Sequence, residues 1–290
     1  MGNGARPLAV VTGGSSGIGK AAAKLLAAQG WDIIAQGRDP GRCETALVEI
    51  REAAAPGSRI DMIRGDLSLL SDTARLADEI AGRTDSIHVL LNNAGGLRDR
   101  MIITPEGNEA TFAGNHLGHF LLTKRLLPTL RSTATASEPG RVRVISVSSL
   151  GHAYCSGIEW DDLQQTNDWA STKNYCLAKL CNLLFTLELS KRTAGEGVVA
   201  HAMHPGVVDS NFRSHADPQM QAQMNSQPGD PPELSAHTLA WLASAPEAGA
   251  ATGGYFHDRT RVAPSPAALD AAAAARLWVE SEALLARSGF

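Results

Sequence analysis

The chain has 290 residues, 19% of them charged and 43% hydrophobic, with a formal net charge of −4. That balance describes a soluble globular protein with a substantial core, long enough for one large α/β domain or two small ones. The slight acidic excess and the lack of a long basic run argue against nucleic acid as the main partner.

The cysteines Cys43, Cys155, Cys176 and Cys181 match neither metal-site spacing nor a CxxC pair, so free thiols in a reducing compartment are expected. The opening "MGNGARP" runs straight into a short apolar stretch, with no signal-peptide core. No run reaches the roughly 18 apolar residues of a membrane helix. A cytoplasmic protein is expected.

In chain order, "LAVVT" (8–12) reads as a buried strand and 18–29 as a helix ended by Gly30. "WDIIAQ" (31–36) is a strand, 41–54 a helix stopped by Pro56 and Gly57, and 59–67 a third strand. A helix over 69–82, a strand over 87–93 and a long helix over 107–131 follow. The second half keeps the rhythm, with strands at 141–149, 197–205 and "GGYFH" and helices at 172–194, 233–244 and 267–286. Strands alternating with helices imply βαβ units, a doubly wound, mostly parallel sheet of about seven strands, and ligands at the strands' carboxyl ends. No domain-separating linker interrupts 1–290, so one domain is expected. The polar, proline-bearing segment 207–232 is expected to be a substrate loop or lid.

Two features suggest chemistry. "VVTGGSSGIGK" places Gly13, Gly17 and Gly19 between the first strand and first helix. Such a turn lets backbone approach a pyrophosphate at a helix N-terminus, although close packing alone also selects glycine there. Further on, Tyr175 and Lys179 stand four apart and therefore on one helix face. A phenol with an ordinary pKa of about 10 cycles protons poorly at neutral pH, and a nearby ammonium lowers it. The plain alternative is a packed tyrosine beside a solvated lysine.

The turn, together with "NNAG" (92–95), "NHLGHF" (115–120), "VISVSS" (144–149), "YCLAK" (175–179) and "HPGVV" (204–208), resembles the short-chain dehydrogenase/reductase family. The match covers nearly the whole chain and is most similar to the branch holding retinol dehydrogenases and carbonyl reductases. The resemblance implies a Rossmann-like fold and a nicotinamide cofactor. It implies that Tyr175 is the general acid/base, that Lys179 lowers its pKa and binds the ribose, and that Ser149 binds the substrate oxygen, with Ser148 as the competing assignment. Asn115 matches the residue that links the lysine to a proton path. Cofactor contacts are implied for Gly13, Ser15, Ser16, Gly17, Ile18, Gly19, Arg38, Asp66, Leu67, Asn93, Ala94, Gly95, Tyr175, Lys179, Pro205, Gly206 and Val208. Asp66 reads equally as a local cap, and Asn92 or Asn93 as a support for the sheet edge.

By the family's spacing, the position of a ribose-binding acid is Gly37, followed by Arg38 and Asp39. Neutral residue then arginine favours NADP(H), because guanidinium is the natural phosphate clamp. Asp39 swinging toward the ribose is the alternative.

Substrate choice is expected from the least family-like segments, 96–106, 150–174 and 207–232, where Met101, Trp160 and Trp169 either line a pocket or pack in the core. The absence of an apolar anchor weakens a retinoid assignment. Relatives pair through helices matching 107–131 and 172–194, so a homodimer or homotetramer is expected. The histidine pairs His116/His119 and His201/His204 lack a third metal ligand, so no metal is expected. A hydrolase built on Ser148 or Ser149 with His152 lacks its G-x-S-x-G elbow. The function expected is carbonyl–alcohol interconversion of a small molecule. A non-catalytic dinucleotide sensor and a carbon–carbon double-bond reductase are the alternatives.

Overall fold

The central strands are mostly apolar and buried along their whole length because helices cover the sheet on both faces. β1 (Leu8–Val11), β2 (Asp32–Gly37), β5 (Val142–Val147) and β6 (Val198–Met203) are buried end to end. In this computed structural model residues 6–208 and 229–290 are described. β3 (Ile60–Arg64), β4 (Val89–Asn92), β7 (Gly254–His257) and β8 (Thr260–Arg261) complete the sheet. Its order is β3-β2-β1-β4-β5-β6-β7-β8, parallel except for the last pair. The winding reverses between β1 and β4, where a crevice opens over the carboxyl ends.

Alternate residues of each strand feed two separate cores. Val10, Ile34, Leu90 and Val144 face α3 (Leu70–Ala81), α4 (Gly118–Thr135), α5 (Ser171–Arg192) and α7 (Ala271–Arg287). Val11, Ile33, Leu91 and Ile145 face α1 (Gly17–Ala28), α2 (Pro40–Ala53) and α6 (Pro232–Ser244). Arg143 interrupts the apolar pattern of β5, yet it is buried because its guanidinium donates to the carbonyls of Gly140 and Leu242.

Three details depart from the periodicity. The eighth strand returns from β7 through Asp258 and Arg259, both at positive φ (43° and 59°), the geometry of a tight hairpin. The long helix expected over 107–131 starts at Ala110, passes through a π-turn at Ala113–Leu117, and runs to Thr135. The tail begins with a 3₁₀ turn, and Asp270 caps α7 by accepting from the amides of Ala272 and Ala273.

α7 lies across the outer sides of α4 and α5, the helices expected to pair with a second copy. Trp278 meets Phe120 edge-on at 4.8 Å and stacks on Phe185 at 5.9 Å. Ser281 bonds to His116 and Glu282 to Lys124. α5 is therefore buried nearly all round, which is why its composition shows no strong polar face.

Candidate active site

A cleft of ≈ 880 Å³ lies over the sheet's carboxyl edge. Its first wall is main chain. Gly13 and Gly17 have φ of +67° and +52°, which L side chains rarely adopt. A Cβ on Gly19 would run into Asn93 and the Gly13 carbonyl, so Gly19 stands behind the wall and lets helix and strand close together. Ser16 is the N-cap of α1 but makes no side-chain cap bond, and Gly17 and Ile18 border the cleft. The first amides of the helix are thereby left for an anion. This glycine cradle fits a dinucleotide pyrophosphate.

The end of the cleft beside β2 carries the charges. A Cβ on Gly37 would lie 2.6 Å from Ser15 Cβ and from Cys43 Sγ, so no ribose-binding carboxylate fits there. Asp39 accepts from the Arg42 amide at 2.8 Å and caps α2, which commits it away from the ribose. Arg38 remains, half-exposed, with its guanidinium 3.5 Å from Asp66. Asp66 also accepts from the Ser68 amide and hydroxyl, so it is a local turn-former and a cleft residue at once. The N-terminus of α3 is capped instead from a distance, by Glu106 on the amides of Leu70 and Ser71. Of the paired asparagines, Asn92 is buried against Thr123, and Asn93 lines the cleft.

At the other end, Ser149, Tyr175, Lys179 and Asn115 share one wall. The two serines separate cleanly. Ser148 is buried with its hydroxyl donated to the Lys179 carbonyl, whereas Ser149 Oγ accepts from the Gly151 amide and hydrogen-bonds Tyr175. Lys179 Nζ donates to the Val147 carbonyl at 3.0 Å and stands 5.4 Å from the centre of the Tyr175 ring. Burial pushes the Tyr175 phenol well above its ordinary value, and the Ser149 hydroxyl pulls the other way. Burial also lowers the Lys179 ammonium to about 8. Lys179, expected to lower the tyrosine's pKa, lines the same cleft as Tyr175.

Asn115 sits in the π-turn, 2% exposed. Its side chain donates to the Gly96 carbonyl at 2.9 Å and accepts from the Gly96 amide at 3.1 Å. Gly95 carries no side chain, which leaves room for both Asn115 and Lys179 Nζ. Pro205, Gly206 and Val208 close the far rim, with Val208 bridged to Asp230. Most of the 207–232 segment lies outside the described residues, as does Ser210.

Every anticipated cofactor and catalytic residue except Gly19 borders this cleft. Met101, Trp160 and Trp169 do not. Met101 is exposed, Trp160 carries the Arg276 guanidinium over its ring at 4.4 Å, and Trp169 donates to Glu109. Leu97, Arg98, Thr111, Leu150 and Val207 line it instead. Leu97, Arg98, Leu150 and Val207 fall in the segments expected to set substrate choice, whereas Thr111 lies on the long helix, and no local pattern marks which side chains turn inward.

Parallel sheet, glycine cradle and a Ser–Tyr–Lys set lining the crevice define a dinucleotide-binding oxidoreductase of the doubly wound α/β class. The family model for short chain dehydrogenase matches residues 7–221. The chain belongs to the short-chain dehydrogenase family and is an oxidoreductase acting on CH–OH groups. Human Retinol dehydrogenase 13 is 37% identical over 284 residues, spanning 95% of this chain and 83% of that protein. Short-chain dehydrogenase TIC 32 B, chloroplastic, from Brassica napus is 32% identical over 276 residues, 93% of this chain and 86% of its own. Among solved structures, an uncharacterized protein from Mycobacterium Paratuberculosis superposes with TM-score 0.73 at 32% identity, covering 97% of this chain and 93% of that one. The Pseudomonas aeruginosa RhlG/NADP active-site complex gives 0.68 at 26% identity, covering 86% and 93%. Among the described residues no helix is long and apolar enough to cross a membrane.

Proposed function

We propose that the chain is an NADP(H)-dependent enzyme that interconverts a carbonyl and an alcohol on a small molecule. The observation that carries this reading is the one cleft lined by Ser149, Tyr175, Lys179 and Asn115, with Lys179 Nζ 5.4 Å from the centre of the Tyr175 ring. A bound nicotinamide supplies or accepts the hydride. Ser149 Oγ is set to hold the substrate oxygen, and Tyr175 to exchange a proton with it. In the reducing direction Tyr175 would give its phenolic proton to the substrate oxygen as the hydride arrives, and in the oxidising direction it would take the proton back. Lys179, anchored on the Val147 carbonyl, would hold the nicotinamide ribose hydroxyls.

Three features support NADP(H) over NAD(H). Gly37 has no space for a competing acid, Asp39 is used as a cap, and Arg38 presents its guanidinium at the cleft edge. An incoming 2′-phosphate would replace Asp66 as the partner of Arg38, a charge-assisted exchange. The Pseudomonas aeruginosa complex holds NADP, and the retinol dehydrogenase names of the relatives fit carbonyl–alcohol interconversion. Four unpaired cysteines fit a cytoplasmic enzyme.

The test is a panel of ketones, aldehydes and secondary alcohols, followed by reduced-nicotinamide absorbance with NADPH and NADH in parallel. Turnover preferring NADPH is expected. Tight dinucleotide binding without turnover of any panel member would instead support a sensor.

A further inference from the structure

His119 is buried at 2% exposure between two parts of the site, and the proposed chemistry gives it no task. Its Nε2 is 3.0 Å from Thr12 Oγ1, at the end of β1, and its Nδ1 is 3.0 Å from the Asn115 carbonyl oxygen, in the π-turn. Thr12 Oγ1 is a crowded atom. It receives the Asn93 amide at 2.9 Å and the Ala94 amide at 3.0 Å. It also lies 3.1 Å from the Leu91 carbonyl, which already accepts the Thr12 amide at 3.0 Å.

A hydroxyl has one proton and two lone pairs. The two amides fill both lone pairs. A proton on His119 Nε2 would therefore be a third donor aimed at a saturated oxygen. Nε2 must be bare, accepting from the Thr12 hydroxyl, which shares its proton between the ring and the Leu91 carbonyl. At the other end a carbonyl only accepts, so Nδ1 must carry the ring proton. Both ends demand the same tautomer independently.

We infer that His119 is a positioning residue: a neutral, Nδ1-protonated imidazole strut joining the loop that carries Asn93 and Ala94 to the π-turn that carries Asn115. Asn93 and Ala94 border the dinucleotide end of the cleft, while Asn115 and Lys179 border the reacting end. The strut keeps the two in register. Its surroundings hold it neutral. Burial acts first, the bond to the Asn115 carbonyl acts the other way, and the Lys179 ammonium adds to the side of burial by disfavouring a positive charge on the ring. His116, the neighbouring ring on the same turn, is itself held neutral by burial and bonded to Ser281.

The kinetic part rests on the oxidoreductase reading, whereas the tautomer does not. Long-range ¹H–¹⁵N spectra of histidine-labelled protein, assigned with His119→Asn, are expected to show a pyrrole-type Nδ1 and a pyridine-type Nε2. The pattern should stay fixed from about pH 5.5 to about pH 8, where an ordinary histidine titrates. An Nε2-protonated pattern, or titration in that window, overturns the inference. His119→Leu, of similar size but with no ring nitrogen, is expected to lower kcat roughly ten- to a hundredfold with substrate KM unchanged. His119→Asn, which can still donate to the Asn115 carbonyl, should recover part of the loss. Wild-type kcat in the leucine variant overturns the role. If that variant fails to fold, the spectra of the parent protein decide. If the parent turns over no substrate, the proposed function falls while the tautomer result stands.

Discussion

The two ends of the cleft are built from different material. The dinucleotide end is backbone: Gly13 and Gly17 at positive φ, Gly19 and Gly37 with no room for a Cβ, and helix amides without side-chain caps. The reacting end is side chains on helix faces and strand ends, where burial raises Tyr175 and lowers Lys179. A backbone cradle is a matter of shape and tolerates little change. A side-chain constellation is a matter of electrostatics and responds to its surroundings.

Separating the two is the sharpest way to break this comparison. Tyr175→Phe should lower kcat by roughly 10²–10⁴-fold while leaving the dinucleotide Kd unchanged, measured by single-turnover kinetics and fluorescence titration. A matching loss of cofactor affinity would show that the ends are not independent.

Acid should act on the side-chain network. Burial lowers His116 to about 3, and His119 and His204 to about 4. The unfolded chain takes up these protons as pH falls through about 6.5, while the folded protein does not until near the lower values. Stability from these groups is therefore fully present above about pH 6.5 and is lost on acidification, on the order of 3 kcal/mol from His119 alone by pH 4. Urea midpoints measured between neutral and acid pH check this, and a flat profile refutes it.

Arg38→Ala should weaken NADPH binding by about 1.5–3 kcal/mol, the value of a charged hydrogen bond, with NADH little affected. Calorimetric titration of both nucleotides tests this. Smallest of all, Lys124→Ala breaks an exposed pair with Glu282 on α7 and should move stability by less than about 1 kcal/mol in a thermal melt.

The glycine turn was readable because each glycine has a local geometric reason, and the Tyr175–Lys179 spacing because four residues bring two side chains onto one face. The strand–helix alternation pointed to the parallel sheet for the same local reasons. What could not be read depends on distant partners. "AGNHL" carries no proline, and its one glycine does not foretell a change of helix type, yet it forms the π-turn of Asn115. Glu106 caps a helix 35 residues away in sequence. Trp160 and Trp169 have the composition of pocket residues, but an arginine stack and a carboxylate hold them elsewhere. The balance at Tyr175 likewise needs the depth of burial, which no spacing reveals.

One small contact reaches further than its size suggests. The Asp230 amide donates to the Val207 carbonyl at 2.8 Å, and Val208 bridges to Asp230, at the rim of the cleft. Two points far apart along the chain are thereby fastened together beside the reacting end. The clasp thus ties the chain leaving β6 to the chain entering α6, so the rim of the cleft is registered to both elements at once.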